Sequence, residues 1–232
     1  MTNRKSRNGF TLIELTLVMA FLATLLLAIL LTTLQMGKLY TKGVTNRTIN
    51  QIGRDLSDTM RRDFLVASTD RIVITTSTGA GNATSGRLCL GSVSYIWNTA
   101  GLLDPDNHSA KITKSSNPVV FERVVDASNQ LCAIQGGGGY VIAVPPAMQS
   151  TNLLAGDGRS LAVYNFTTTK LASDGKNGLY ELKITVGTND PGTTQADGQS
   201  AQCKPPSDNS SDFNYCSVAD FDIIVRTGGD GR

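Results

Sequence analysis

From Leu15 to Leu34 the chain carries twenty consecutive residues without a charge or a proline. Wound as a helix at 1.5 Å per residue, that run matches the hydrocarbon core of a bilayer, about 30 Å thick. Two other readings fit less well. A cleaved secretory signal has a shorter apolar region and a small-residue cleavage site, and the following "TTLQMGKLYTKG" offers none. A buried helix of a soluble protein is rarely apolar on every face. The expectation is a retained membrane helix. Arg4, Lys5 and Arg7 precede it and Lys38 and Lys42 follow it, a count that favours a cytoplasmic N-terminus.

Glu14 stands at the edge of this run, in "RNGFTLIELTLV". A carboxylate at the centre of a membrane helix costs about 2.5–3.5 kcal/mol on insertion scales and less at the interface. One reading leaves Glu14 wet at the headgroup level. The other gives it a cationic partner. A cut after Gly9 would make Phe10 the new N-terminus, and in a bundle of such helices Glu14 of one copy would meet the α-amino group of Phe10 in the next. An ion pair in a low dielectric is strong and fixes axial register.

The basic leader "MTNRKSRNG", the glycine, Phe10, Glu14 four positions later and the long apolar run together resemble the class III leader of type IV pilins and pseudopilins. The resemblance implies cleavage between Gly9 and Phe10 by a prepilin peptidase, N-methylation of Phe10 by the same enzyme, and a role for Glu14 in recruitment and register. It implies other pilins or pseudopilins, the peptidase and an inner-membrane assembly platform as partners. The helix would serve first as a membrane anchor and then as filament core. Tip-most pseudopilins of the K type usually lack the glutamate, so Glu14 implies a subunit packed beneath another. "DTMRRDFLVAS" resembles the "RDLR-AG" helix end of W-type minor pilins and J-type pseudopilins, and "VSYIWNTAGLL" with "NPVVFERVVD" resembles their "V-Y…L-R" strand pattern. The resemblance covers about the first seventy residues firmly and the rest loosely. Many major pilins have a proline in this helix; here the first proline is Pro105, and Gly37, Gly43 and Gly53 are the soft points instead.

Beyond the membrane segment, Val44, Ile49, Ile52, Leu56, Met60, Phe64 and Ala67 recur at helical intervals. The charged residues between them read mostly as a solvated face. The expected layout is a leader over 1–9, a membrane helix over 10–36, an amphipathic helix over 37–68 and a β-rich extracytoplasmic head over 69–232. The head reads as strands "RIVITT", "SVSYIW", "PVVFERVV", "YVIAVP", "SLAVYNF", "GLYELKITV" and "DFDIIVR", split by turn segments including "TGAGNATSG" and "TNDPGTTQADGQ". The fold class is α+β, with the C-terminal half of the long helix packed on an antiparallel sheet. The segment from Thr188 to Cys216 reads as the least ordered, and Trp97 as core.

Four cysteines, Cys89, Cys132, Cys203 and Cys216, include no C-x-x-C pair, and His108 is the only histidine, which points to two disulfides in an oxidising compartment rather than a zinc site. Three pairings are possible. Cys203–Cys216 and Cys89–Cys132 are favoured, the first closing a Pro- and Ser-rich loop and the second joining two strand-like segments.

The formal charge of +2 falls near neutral or slightly acidic once the first nine residues are set aside, which argues against a nucleic-acid partner. His108 has no nucleophile pointing to it, and no cofactor or enzymatic activity is implied. Asp104 and Asp106 in "DPDNHS", like Asp174 and Asn177 in "SDGKNG", are weak calcium candidates without the spacing of a calcium loop. Five N-x-S/T sequons, at Asn46, Asn82, Asn107, Asn165 and Asn209, fall in an Asn- and Thr-rich chain. The expected function is a minor pilin that initiates or caps a type IV pilus, the alternative a J-type pseudopilin of type II secretion. A third expectation is a pilus-tip module that binds DNA, sugar or a surface in cell adhesion.

Overall fold

The computed structural model describes residues 11–78, 84–107, 109–135, 139–155, 160–174, 177–190, 192–197, 200–205, 207 and 215–228. It falls into two compact units, the first ending at Thr41 and the second beginning at Lys42. Helix α1, Leu12–Val66, runs through 55 residues. Leu, Ala, Met, Arg and Gln are good helix formers, and Gly37, Gly43 and Gly53 do not interrupt it. The chain then leaves the helix through a 3-10 turn at Thr69–Arg71.

In the second unit α1 is amphipathic. Thr45, Thr48, Ile49, Ile52, Gly53, Leu56, Met60 and Phe64 are its buried residues. Against them lie two antiparallel sheets. The larger contains β1 (Val73–Thr78), β2 (Thr84–Cys89), β3 (Val93–Asn98), β6 (Phe121–Val125) and β8 (Ser150–Asn152), in that spatial order. The other contains β13 (Val218–Arg226), β10 (Gly178–Thr188) and β9 (Leu161–Ser173), also in spatial order. A short helix, α2 (Ala100–Leu103), follows β3. Two smaller groupings complete the head: β4 (Thr113–Lys114) lies between β5 (Asn117–Pro118) and β7 (Ala143–Val144), and β11 (Thr194–Asp197) pairs with β12 (Ser200–Cys203). The β4–β7 pair is parallel. The α+β layout expected from the sequence is the observed one, with two principal sheets where the sequence reading has one.

The main core joins the helix to both sheets: Met60 and Phe64 from α1, Tyr95, Trp97 and Phe121 from the larger sheet, and Phe166, Leu182 and Ile223 from the smaller. Trp97 meets Phe166 edge to face at 4.3 Å between ring centroids, and Phe64 meets Tyr180 at 5.7 Å. Burying side chains of this size contributes about 1.5–3 kcal/mol each. A second core lies on the opposite face of the larger sheet, around Ile96, Val124, Leu131 and the Cys89–Cys132 disulfide. Arg87 is buried there too. Its Nη1 donates to the carbonyls of Leu131 at 2.8 Å and Val141 at 3.0 Å, and its guanidinium lies over the Tyr140 ring at 5.0 Å. Burial lowers its pKa.

Candidate functional site

Residues 12–34 form one helical stretch on which every side chain is exposed. Leu12, Ile13, Phe21 and Leu26 are all more than 60% exposed, which no water-facing helix sustains without a covering apolar medium. The threonine hydroxyls of this stretch are satisfied internally. The hydroxyls of Thr16 and Thr24 donate to the carbonyls of Ile13 and Phe21, both at 2.9 Å, and those of Thr32 and Thr33 reach Ile29 at 2.8 Å. Back-bonding of this kind lets threonine sit in hydrocarbon without an unpaired donor. The helix is long and apolar enough to cross a membrane.

Glu14 is the only ionisable residue between Leu12 and Gly37. It is exposed, in the first turn of α1, and its backbone N–H donates to Thr11 Oγ1 at 3.4 Å. "TLIE" thus has the Thr-x-x-Glu spacing of a capping box, in which a threonine before the helix serves the third helical N–H. That spacing is legible in the sequence and supplies a local reason for a glutamate here, together with the favourable N-terminal end of the helix dipole. Gly9 and Phe10, the residues of the expected cut, lie outside the described residues.

A second cluster ties the helix to the larger sheet. Tyr95 on β3 and Arg123 on β6 are directly opposite each other in the ladder. Both reach Asp63 in the last turns of α1. Arg123 Nε donates to Oδ2 at 2.7 Å and Nη2 to Oδ1 at 2.8 Å, while the Tyr95 hydroxyl donates to Oδ2 at 2.5 Å. The fork geometry makes this a bidentate, charge-assisted pair. Hydrogen bonding to Asp63 raises the pKa of Arg123, and burial, reinforced by the Asp63 charge, raises that of Tyr95 far above its ordinary value. Asp63 therefore departs from the solvated face expected for most of the charged residues of this helix. The three residues come one each from "DTMRRDFLVAS", "VSYIW" and "NPVVFERVVD", distant in sequence and joined at one point.

The structure pairs Cys89 with Cys132 and Cys203 with Cys216, with Cα separations of 6.3 and 5.7 Å. The weak calcium candidates are engaged in turns. Asp104 Oδ1 accepts the Asp106 N–H at 2.9 Å, and Asp174 Oδ1 accepts the Asn177 N–H at 2.7 Å. Among the described residues no three His, Cys, Asp or Glu side chains gather as a metal site. His108 lies outside them, as do Asn82 and Asn209. Of the other sequons, Asn46 accepts a hydrogen bond from the Ser217 hydroxyl and Asn107 donates through Nδ2 to the Gly101 carbonyl. Asn165 lies in β9.

Comparison with protein-family models, curated proteins and solved structures finds no match.

Proposed function

We propose that this chain is a minor pilin, a structural subunit that initiates or caps a type IV pilus through bundling of its N-terminal helices. The observation that carries the reading is the character of α1. One end is apolar and exposed all round with a single carboxylate near its start, and the other end supplies the core of a disulfide-bonded head. A helix of this kind is stable in lipid, and equally stable when the lipid is replaced by helices of like character. The leader motif through Phe10 adds the means of transfer from the first setting to the second. On this reading the N-terminus is cytoplasmic, the head is extracytoplasmic, and Glu14 of an incoming subunit pairs with the α-amino group of Phe10 in its neighbour.

The Asp63–Tyr95–Arg123 cluster supports a second reading, a J-type pseudopilin of type II secretion. It brings together the segments whose resemblance is shared by W-type minor pilins and J-type pseudopilins. Both readings predict the same mature chain. Intact and N-terminal peptide mass spectrometry of the protein from its native membranes is the test. A chain beginning at N-methylated Phe10 is the expected result. A chain retaining Met1–Gly9 in a host with active prepilin peptidase overturns both readings.

A further inference from the structure

Strand β13 is the outer strand of the smaller sheet. β10 lies along one of its edges, and among the described residues no strand lies along the other. The bonds at the two ends of the β10–β13 ladder fix which backbone groups face that open edge. The Thr227 N–H donates to the Gly178 carbonyl at 2.9 Å, and the Thr188 N–H donates to the Ser217 carbonyl at 3.0 Å. The register between these ends has no shift. Hydrogen-bonded and non-hydrogen-bonded pairs alternate along an antiparallel ladder. Phe221, Ile223 and Val225 therefore bond to β10, while Asp220, Asp222 and Ile224 turn their N–H and C=O groups outward. Among the described residues those outward groups have no partner.

The side chains alternate as well. Asp220 accepts from the Thr185 hydroxyl at 2.6 Å and Asp222 stands opposite Lys183, on the face of the sheet away from α1. Phe221 and Ile223 point the other way, to the helix, and there they line a groove of about 520 Å³ between α1 and β13. Gly53 lets the helix approach the Phe221 ring: a Cβ at Gly53 would stand only 2.1 Å from it. The helix wall of the groove carries Arg54, Asp58 and Arg61, all exposed. Arg54 and Arg61 are two turns apart, about 10.5 Å along the axis. None of the three has an ion pair among the described residues, so the wall is net positive by one charge. An open strand edge, an apolar floor and two unpaired guanidinium groups thus border one groove.

We propose that β13 takes up an extended segment of a partner protein by strand addition, and that this segment carries acidic side chains on the face turned to α1. Main-chain hydrogen bonds to Asp220, Asp222 and Ile224 would supply affinity, and the alternate side chains would supply specificity. Of those, the inward ones meet Arg54, Arg61 and the Phe221–Ile223 floor. The outward ones meet Asp220 and Asp222, which favour basic or hydroxyl side chains and repel an acidic one. Charges on an edge strand discourage indiscriminate pairing, and here their placement on one face selects the sequence that is admitted. The inference goes beyond the filament reading, whose test is the identity of the mature N-terminus.

The test is binding of a synthetic peptide, acetyl-KETVTEK-amide with a fluorophore, to the full chain in detergent micelles, followed by anisotropy and by amide hydrogen exchange. Its two glutamates and its valine share one face of a strand. The wild-type protein binds it, with the amides of Asp220, Asp222 and Ile224 gaining protection. The peptide with both glutamates replaced by lysine binds at least tenfold more weakly. The variant R54E/R61E reverses that order. Asp222→Pro removes an edge donor but no bond to β10, a substitution an edge strand tolerates, and it weakens binding at least tenfold. No binding of the acidic peptide at about 1 mM overturns the proposal. So does equal binding of the two peptides, or binding that leaves the three amides unprotected. Protection that grows with protein concentration in the absence of peptide gives the edge to a second copy and also overturns it. If a variant misfolds, the wild-type exchange pattern and peptide preference decide.

Discussion

Arg123 closes on Asp63 through two parallel hydrogen bonds across a sequence separation of 60 residues, fastening the last turns of α1 to strand β6. With side-chain exposures of 28% for Arg123 and 12% for Asp63, the pair is shielded but not dry. Asp63→Ala leaves a partly buried guanidinium and the Tyr95 hydroxyl without their acceptor. The expected loss is about 2–4 kcal/mol of unfolding free energy by urea titration. In a double-mutant cycle with Arg123→Ala, a coupling of about 1.5–3 kcal/mol is expected. A coupling near zero would show that the two side chains act independently.

Tyr95 makes the same cluster sensitive to base. Its pKa is raised in the folded protein by burial and by the neighbouring Asp63 carboxylate, so the folded state holds the phenolic proton more tightly than the unfolded chain does. The stabilisation is fully present below the unfolded value of about 10 and is lost as the pH climbs above it. Unfolding free energy measured between pH 8 and 11 therefore falls at the alkaline end, and less steeply in Tyr95→Phe. Tyr164 and Tyr180 are shifted in the same direction by burial and leave that variant a residual slope. Equal slopes in the two proteins would remove Tyr95 from the explanation.

Gly86 on β2 sits directly opposite Trp97 on β3, and the indole occupies the space a side chain would need. A Cβ at Gly86 would come within 2.1 Å of the ring. Trp97 is 1% exposed and wedged between Phe121 and Phe166, so it has nowhere to go. Gly86→Ala is expected to cost about 1–3 kcal/mol through overpacking, at the upper end because the ring is enclosed on both sides. Thermal unfolding of the variant checks it, and an unchanged midpoint would mean that the indole has room to retreat.

The two disulfides close loops of unequal size, with separations of 43 and 13 residues. On chain-entropy grounds the first stabilises by about 4 kcal/mol and the second by about 3. Removing Cys89 and Cys132 together should therefore lower stability more than removing Cys203 and Cys216. Chemical denaturation of the two double-alanine variants ranks them, and the reverse order would place residual structure or strain above loop entropy.

Glu14→Gln preserves size while removing the charge. On the proposed function this variant inserts into membranes and is processed normally, yet it yields few or no filaments, counted by electron microscopy. Filament numbers equal to wild type would confine Glu14 to its local place beside Thr11 at the helix start.

Long-period features were legible in the sequence. The apolar run and the stripe from Ile49 to Phe64 correspond to the two parts of α1, and "SVSYIW", "GLYELKITV" and "DFDIIVR" correspond to β3, β10 and β13. The departures have tertiary causes. β2 was hidden because "TSG" reads as a turn, while Gly86 is there to admit the Trp97 ring. "YVIAVP" is apolar enough for a strand, but only Ala143–Val144 pairs, in the short parallel contact with β4. β9 runs on through "TTTKLAS" because β10 supplies a partner along its whole length. The segment read as least ordered contains the β11–β12 ladder, whose last residue is the disulfide-bonded Cys203. Asp63 resembled its solvated neighbours because the residues that claim it lie on β3 and β6, beyond the reach of any local pattern.

The side chains that α1 contributes to the main core belong to the same unbroken helix as its apolar end. A pull on the helical part of the second unit therefore meets packed side chains. To yield, Ile49, Leu56, Met60 and Phe64 must slide past both sheets together, a shear that breaks many contacts at once instead of peeling them one by one. Neither disulfide involves the helix: Cys89–Cys132 ties β2 to the turn that follows β6, and Cys203–Cys216 ties β12 to the residues before β13, so the load falls on packing and on the Asp63–Arg123 fork.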